Sequence, residues 1–376
     1  MPLLRFGFLC VACAAFLAAA VVRGPIQAQE LEHEPPATYD QEEVGPLWAW
    51  AQRAPAEPGD TYNPQNPERG SEGMRPNDDE AEVTKVWTVT GSDQQFTRLD
   101  FRSHTSYPEW FPNDYPQPMP SVNMVGSESL GNTARACSLC HLANGKGRPE
   151  NAPPGGQPAA YTIQQLNDMR NDLRNTSDPR KSNPHTMVRL AKGMSEQEMQ
   201  EIAEWYEATP WTPWIRVIET DMAPAMHLEV GNMFITVGVE PELPLNGIII
   251  ETPENELESN YLRSPRSGWN AYVPMGSLAA GEELVTTGGG KTVACNICHG
   301  ADLMGVGIMP GIAGRSPSYM MRQLWDMKME TRKGPNVALM MPIIEDLTVE
   351  DMTNIVAYLA SVMPLPGPVA PPTPRP

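Results

Sequence analysis

Apolar positions along this chain recur mostly at helical spacing. Between Ala159 and Arg174 they fall at Tyr161, Ile163, Leu166, Met169 and Leu173, one stripe of an amphipathic helix. Ser195 with Glu198 forms a capping box ahead of Met199, Ile202 and Trp205 or Tyr206, the inward positions of a second helix. The pattern returns later. Ser277 to Val285 reads as a short helix ending before Gly288-Gly289-Gly290, and Ser318 to Lys328 is amphipathic. Thr348 with Asp351 opens a last helix whose inward positions are Met352, Ile355, Val356 and Leu359. Ser121 is expected to cap a short helix carrying Val122, Met124 and Val125. Alternating or β-branched runs predict strands at Val83–Val89, Trp214–Ile218, Met233–Val237 and Gly247–Ile250.

The helical segments form an internal repeat. Tyr161 to Leu166 matches Tyr319 to Leu324, with Gln165 against Gln323. Met187, Met194, Met199, Ile202 and Trp205 match Met340, Leu347, Met352, Ile355 and Tyr358, at offsets 0, 7, 12, 15 and 18 in both copies. Two helical domains are therefore expected, at 119–209 and 274–364. A β-rich linker is expected at 210–273, because a structureless connection of that length is unusual inside a compact protein. Residues 29–118 are rich in proline and aromatics. They predict an irregular arm wrapping the first domain, with Pro46-Leu47-Trp48-Ala49-Trp50 as an anchor. Tyr107 to Pro120 cannot be helical at that proline density. Residues 365–376 form a Pro-rich tail expected to lack fixed structure.

Arg5 followed by an apolar run to Val22 and by small residues near Ala28 reads as a secretory signal peptide, 1–28, with a retained membrane anchor as the weaker alternative. No other apolar run approaches the ~18 residues of a spanning helix, so the mature chain is expected to have no transmembrane segment. The formal charge of −19 becomes −21 once Arg5 and Arg23 leave. Such a surface excludes nucleic acid as a natural partner and suits a basic docking surface on a protein partner.

Five residues occur twice: Cys137-Ser138-Leu139-Cys140-His141 and Cys295-Asn296-Ile297-Cys298-His299. One C-x-x-C leaves open a disulfide, a zinc knuckle or a redox pair. Two copies, each followed by His, with no other cysteine beyond residue 13, point to covalent attachment of two c-type haems. Cys137, Cys140, Cys295 and Cys298 would form the thioethers, and His141 and His299 the proximal iron ligands. No catalytic residue is assigned.

The sixth ligand separates an open, reactive iron from a closed electron-transfer site. A distal residue is expected on a loop before the last helix of each copy. Met187 and Met340 both precede the final helix cap by eight residues (195 − 187 and 348 − 340). They are the leading candidates, with His185 and Met341 as rivals. Pro310 is the candidate acceptor for the His299 ring N–H. In the first copy the acceptor lies within Ala152-Pro153-Pro154. His33, His104 and His227 read as ordinary histidines.

These residues resemble the two-domain di-haem class I cytochromes c. The likeness rests on Cys295 to Gly300, Pro310-Gly311-Ile312-Ala313-Gly314, Tyr319 with Gln323-Leu324, Met340, and Leu347 with Ala357-Tyr358. The first copy departs from the pattern: Leu142 replaces the Gly after the His, and the loop to Met187 is five residues longer. The resemblance implies a mainly α fold of two tandem cytochrome c domains, periplasmic electron transfer and redox protein partners. The expected flow runs from an exported dehydrogenase or quinol-oxidising complex to a terminal acceptor. A di-haem enzyme of peroxidase or thiosulfate-oxidising type, or a fixed cytochrome subunit of a dehydrogenase, is the alternative.

Overall fold

The computed structural model describes residues 39–52, 54–60, 84–97, 99–100, 107–229, 233–236 and 242–363. The expected signal segment, the Pro-rich tail, His33 and His104 lie outside the described residues.

Helix α1 (Gln41–Val44) is capped by the Asp40 side chain. It leads into a 3-10 turn, Leu47–Trp50, whose four side chains are all buried. The arm was expected to wrap the first repeat, but this anchor packs mainly into the core of the second. Trp50 Nε1 donates to Thr176 Oγ1 at 2.9 Å, while Arg322 of the second repeat donates to the Ala49 carbonyl. The chain runs flat against Trp325: a Cβ on Gly45 (φ 82°) would lie 2.6 Å from its indole. Strands β1 (Val86–Trp87) and β2 (Phe96–Thr97) pair antiparallel, so the described part of the expected strand over 83–89 is cut to two residues, Val83 lying outside the described residues. The last part of the arm does lie on the first repeat. Tyr115 meets Trp205 edge to face at 5.5 Å, and Trp205 Nε1 donates to the Pro116 carbonyl.

The first repeat contains α2 (Ser121–Val125), α3 (Cys137–His141), α4 (Ala159–Arg170), α5 (Ser182–Gly193) and α6 (Glu196–Ala208). Ser121 is the first helical residue and caps nothing; Pro120, which has no N–H to satisfy, holds the cap position. Met124 and Val125 accordingly face solvent. The expected capping box on α6 is present. Below it Met199, Ile202, Trp205 and Tyr206 are buried in a core shared with Tyr115, Met119 and Leu166, each worth ~1.5–3 kcal/mol.

The linker holds more strands than its pattern predicts: β3 (Ile215–Glu219), β4 (Met222–Pro224), β5 (Met226–Glu229), β6 (Met233–Thr236), β7 (Glu242–Pro244), β8 (Ile250–Pro253) and β9 (Trp269–Val273). Strand β9 is central, parallel to β3 and antiparallel to β8. The strand expected at 247–250 starts only at Ile250. Asn246 (φ 51°) and Gly247 (φ 79°) take left-handed conformations that turn the chain just before it.

The second repeat contains α7 (Ser277–Thr287), α8 (Asn296–His299), α9 (Pro317–Lys328), α10 (Met341–Ile344) and α11 (Val349–Ser361). Thr348 and Asp351 form the predicted capping box of α11. Helices α7 and α11 touch backbone to backbone at Gly281, where any Cβ would overlap the Asn354 carbonyl. The sheet and this repeat share one core, in which Trp214, Ile250 and Trp269 join Met352, Val356 and Leu359.

Candidate functional site

Each C-x-x-C-H segment forms one short helical turn, which places its cysteines and its histidine on adjoining faces. His141 Nδ1 donates to the Ala152 carbonyl at 2.7 Å, and His299 Nδ1 to the Pro310 carbonyl at 2.8 Å. Pro310 was the residue expected from the sequence, and Ala152 is the member of its triplet selected by the fold. These bonds fix the tautomer and leave Nε2 with its lone pair free. Burial holds both imidazoles below the usual histidine range, in the neutral form that binds metal. The next turn is also common to both: Gly147 N donates to the His141 carbonyl and Gly305 N to the His299 carbonyl, at 2.8 and 2.9 Å. Leu142 takes the positive φ (61°) that Gly300 takes in the second copy (88°). This backbone costs a leucine ~1–3 kcal/mol, and the side chain is held there by being buried. Replacement of the glycine has therefore not changed the turn.

None of the four motif cysteines is paired in a disulfide. Burial pushes Cys137 up to about 12 and Cys295 up to about 11. A redox-active C-x-x-C pair needs the opposite, a lowered thiol pKa.

In the first repeat Cys137, Cys140 and His141 line a cavity of about 440 Å³, within the range of small-molecule and cofactor sites. Met187 lines it too. His185 does not, and its Nε2 points at the Pro179 carbonyl at 3.3 Å. Met187 lies on α5, not on a loop. The five extra residues in this copy give the chain length for a 12-residue helix. In the second copy Met340 ends a 3-10 turn and Met341 opens α10, and both pack half-buried against the core.

A polar cluster joins the repeats. Counterparts here are separated by a constant 158 positions: 295 − 137, 299 − 141, 319 − 161, 323 − 165 and 332 − 174. Arg174 donates to Gln165, Gln323 and Tyr319, and Arg332 donates to Gln323, Gln165 and Tyr161, at 2.8–3.2 Å. Arg174, Tyr319 and Gln323 also line the first cavity. Arg332 Nε is buried with no hydrogen-bond partner. Buried cations with neutral partners and spare donors suit a group that brings carboxylates, as the porphyrin's propionates do. The residues present therefore fit a haem in both its thioether and its acidic parts.

A third arginine ties the two proximal loops. Arg315 is 1% exposed and lies 3.7 Å over the Trp211 ring. It donates to the carbonyls of Pro153 and Gly155 on one side and Gly311 on the other. Gln157 adds a reciprocal pair of bonds to Gly311. Arg174, Arg315 and Arg332 escaped the sequence reading. The constant spacing of 158 pairs Arg174 with Arg332 and was the signal available.

The cytochrome c family model matches residues 130–208 and 278–363. Cytochrome c-554(548) of Halomonas halodenitrificans is 37% identical over 87 residues, covering 23% of this chain and 96% of that protein. A protein of Stutzerimonas stutzeri named thiosulfate dehydrogenase electron acceptor is 27% identical over 232 residues, 61% of this chain and 80% of that one. Among solved structures, Acidithiobacillus ferrooxidans cytochrome c4 aligns with TM-score 0.38 at 18% identity, over 60% of this chain and 98% of that one. The Marichromatium purpuratum thiosulfate dehydrogenase TsdBA aligns with TM-score 0.39 at 22% identity, over 63% of this chain but only 38% of that one. The chain belongs to the cytochrome c family. It is a mainly helical, two-domain c-type cytochrome with two covalently bound haems c, and its class is that of electron-transfer proteins.

Proposed function

We propose that the chain carries its haems on Cys137 and Cys140 and on Cys295 and Cys298, with His141 and Met187 as axial ligands of one iron and His299 and Met340 of the other. The observation that carries this reading is the meeting of Cys137, Cys140, His141 and Met187 around one cavity. The haem iron supplies the redox chemistry, cycling between ferric and ferrous. The chain's residues hold it. Ala152 and Pro310 orient the histidines, the Met187 and Met340 thioethers would hold the iron on its other side and favour the reduced metal, and the buried arginines would balance the haem's carboxylates.

The physiological role that fits is a periplasmic shuttle between an exported dehydrogenase or quinol-oxidising complex and a terminal acceptor. Among the described residues no helix is long and apolar enough to cross a membrane. The Stutzerimonas stutzeri relative bears the name of a thiosulfate dehydrogenase's electron acceptor. That name favours a thiosulfate-oxidising donor, with the chain receiving electrons rather than oxidising thiosulfate itself.

The optical spectrum of the oxidised protein tests the ligand set. His/Met iron gives a weak charge-transfer band at the red end of the visible range, and Met187→Ala and Met340→Ala should each remove one share of it. A high-spin haem that binds cyanide rapidly in the purified protein would point to the enzyme reading instead.

A further inference from the structure

The two motifs share a backbone and differ in their cover. Leu139 and Ile297 hold the same place, the second spacer residue of each motif (297 − 139 = 158). Leu139 is 1% exposed and Ile297 is 71% exposed. Cys298 is exposed, and its counterpart Cys140 is half-buried.

The cover over the first motif comes from the segment between β8 and β9. Arg263 donates to the Leu139 carbonyl at 2.9 Å, and Asn144 donates to the Pro265 carbonyl at 2.8 Å. That segment is held in turn by the arm. Trp110 Nε1 donates to the Leu262 carbonyl, and Arg266 lies 3.8 Å over Phe111 while binding Asp114. Trp110, Phe111 and Leu262 share a small core with Val89.

The matching face of the second motif is open and apolar. Val293 (44% exposed) lies in the non-helical stretch just before the motif. The turn from Val306 to Met309 folds back on Gly300, presenting Val306 (60%) and Ile308 (39%). An exposed carboxylate accompanies it, Asp302, which lies beside Gly300. Exposed cations on the repeat are few, and one of them, Lys291, is tied to Asp351. Exposed apolar side chains on the motif and on the turn beside it, on a chain of charge −19, mark an interaction site.

We propose that electrons are exchanged with a partner through the second domain, on the apolar face centred on Ile297. The occupant is a redox protein whose own metal-site edge is apolar and ringed by lysine or arginine. The proposal rests on the reading of both motifs as haem sites. A thioether joins cysteine to the porphyrin edge, so whatever covers the cysteines covers that edge. One electron passes from the reduced partner to the second site and on to the first, and no bond is made or broken. The polar cluster of Arg174, Arg332, Gln165 and Gln323 joins the two repeats beside the first cavity.

The test is stopped-flow reduction of the haem-loaded full chain by a reduced, basic monohaem cytochrome c, with ascorbate as a small reductant for comparison. Ile297→Lys puts a like charge in front of the partner and should slow reduction by the cytochrome at least about tenfold, while reduction by ascorbate, a small anion, is not slowed. Val306→Lys, outside the attachment motif, should act in the same direction. Val125→Lys, an exposed residue of the first domain, should leave both rates unchanged. The wild-type rate should fall with added salt. Unchanged rates in Ile297→Lys and Val306→Lys, with two haems still attached, would overturn the docking face alone, and so would slowing by Val125→Lys. A wild-type chain without two reducible haems would overturn the underlying reading as well.

Discussion

Arg174 and Arg332 face each other across the boundary between the two domains. Their backbones form an isolated antiparallel bridge, with Asn175 N donating to the Thr331 carbonyl and Lys333 N to the Leu173 carbonyl, both at 2.8 Å. Each guanidinium donates to the glutamines of both domains. Two like charges this close and this buried are costly unless anions lie near. Asp326 is one such group, and burial raises its pKa to about 6. Haem propionates would be the others.

Loss of one of these cations should therefore be felt by the redox centres. A buried charge ~10 Å from a redox site, at an effective dielectric of ~20, contributes on the order of 1.7 kcal/mol, or about 70 mV for one electron. Arg174→Met is expected to lower at least one haem potential by several tens of millivolts in a spectroelectrochemical titration. Potentials unchanged within about 10 mV would show that the pair does not face the acidic groups.

Met340 and Met341 both lie half-buried beside the core, so their geometry alone does not rank them. The repeat register favours Met340. Met340→Leu should remove one share of the red charge-transfer band and lower one potential by more than about 100 mV, since a hard or vacant sixth position disfavours the reduced iron. Met341→Leu should change neither by a comparable amount. The reverse result would assign the ligand to Met341.

Much of the helical repeat could be read in advance because its determinants are local. Ser195 with Glu198 and Thr348 with Asp351 are capping boxes whose partners lie three residues apart. The proximal carbonyl at Pro310 also followed from a short loop. The cover over Leu139 could not be read, because it depends on Arg263 and Trp110, which are 124 and 152 residues from the groups they bind. Strand β9 was missed although Trp269, Ala271 and Val273 alternate inward, because its polar partners Asn270 and Tyr272 look like loop residues among neighbouring Gly and Pro. Met187 was expected on a loop because a distal ligand was sought between the motif and the last helix, and Pro184 close before it offers no helical signal. In the fold that proline occupies the first turn of α5, where a missing N–H costs nothing.

Helix α11 closes the second domain and begins at the Thr348–Asp351 box. Thr348→Ala removes the side-chain acceptor for Asp351 N and should cost about 1 kcal/mol. Denaturant unfolding followed by far-UV dichroism measures this. The visible spectrum should not change, because the box is remote from the attachment motif in sequence and its loss leaves the buried face of Met352, Ile355 and Leu359 in place.

Lys146 lies in the first motif's turn and is 6% exposed. Burial lowers its pKa to about 8, with Asp114 opposing and Arg266 reinforcing the shift. In the unfolded chain the same amine titrates near its ordinary 10.5. The folded state therefore binds this proton less tightly than the unfolded state does. Below about pH 8 the folded chain bears the full cost of a buried ammonium, and this contribution improves as pH rises from about 8 towards 10.5. The shift corresponds to ~3 kcal/mol at most. Lys146→Met keeps the aliphatic stem and removes the charge, so it should stabilise the protein at pH 7 by ~1–3 kcal/mol and flatten the rise in stability between about pH 8 and 10. Urea unfolding of both forms at pH 7 and pH 9.5 provides the comparison. Parallel stability curves for wild type and Lys146→Met across that window would show that the amine reaches water in the folded chain.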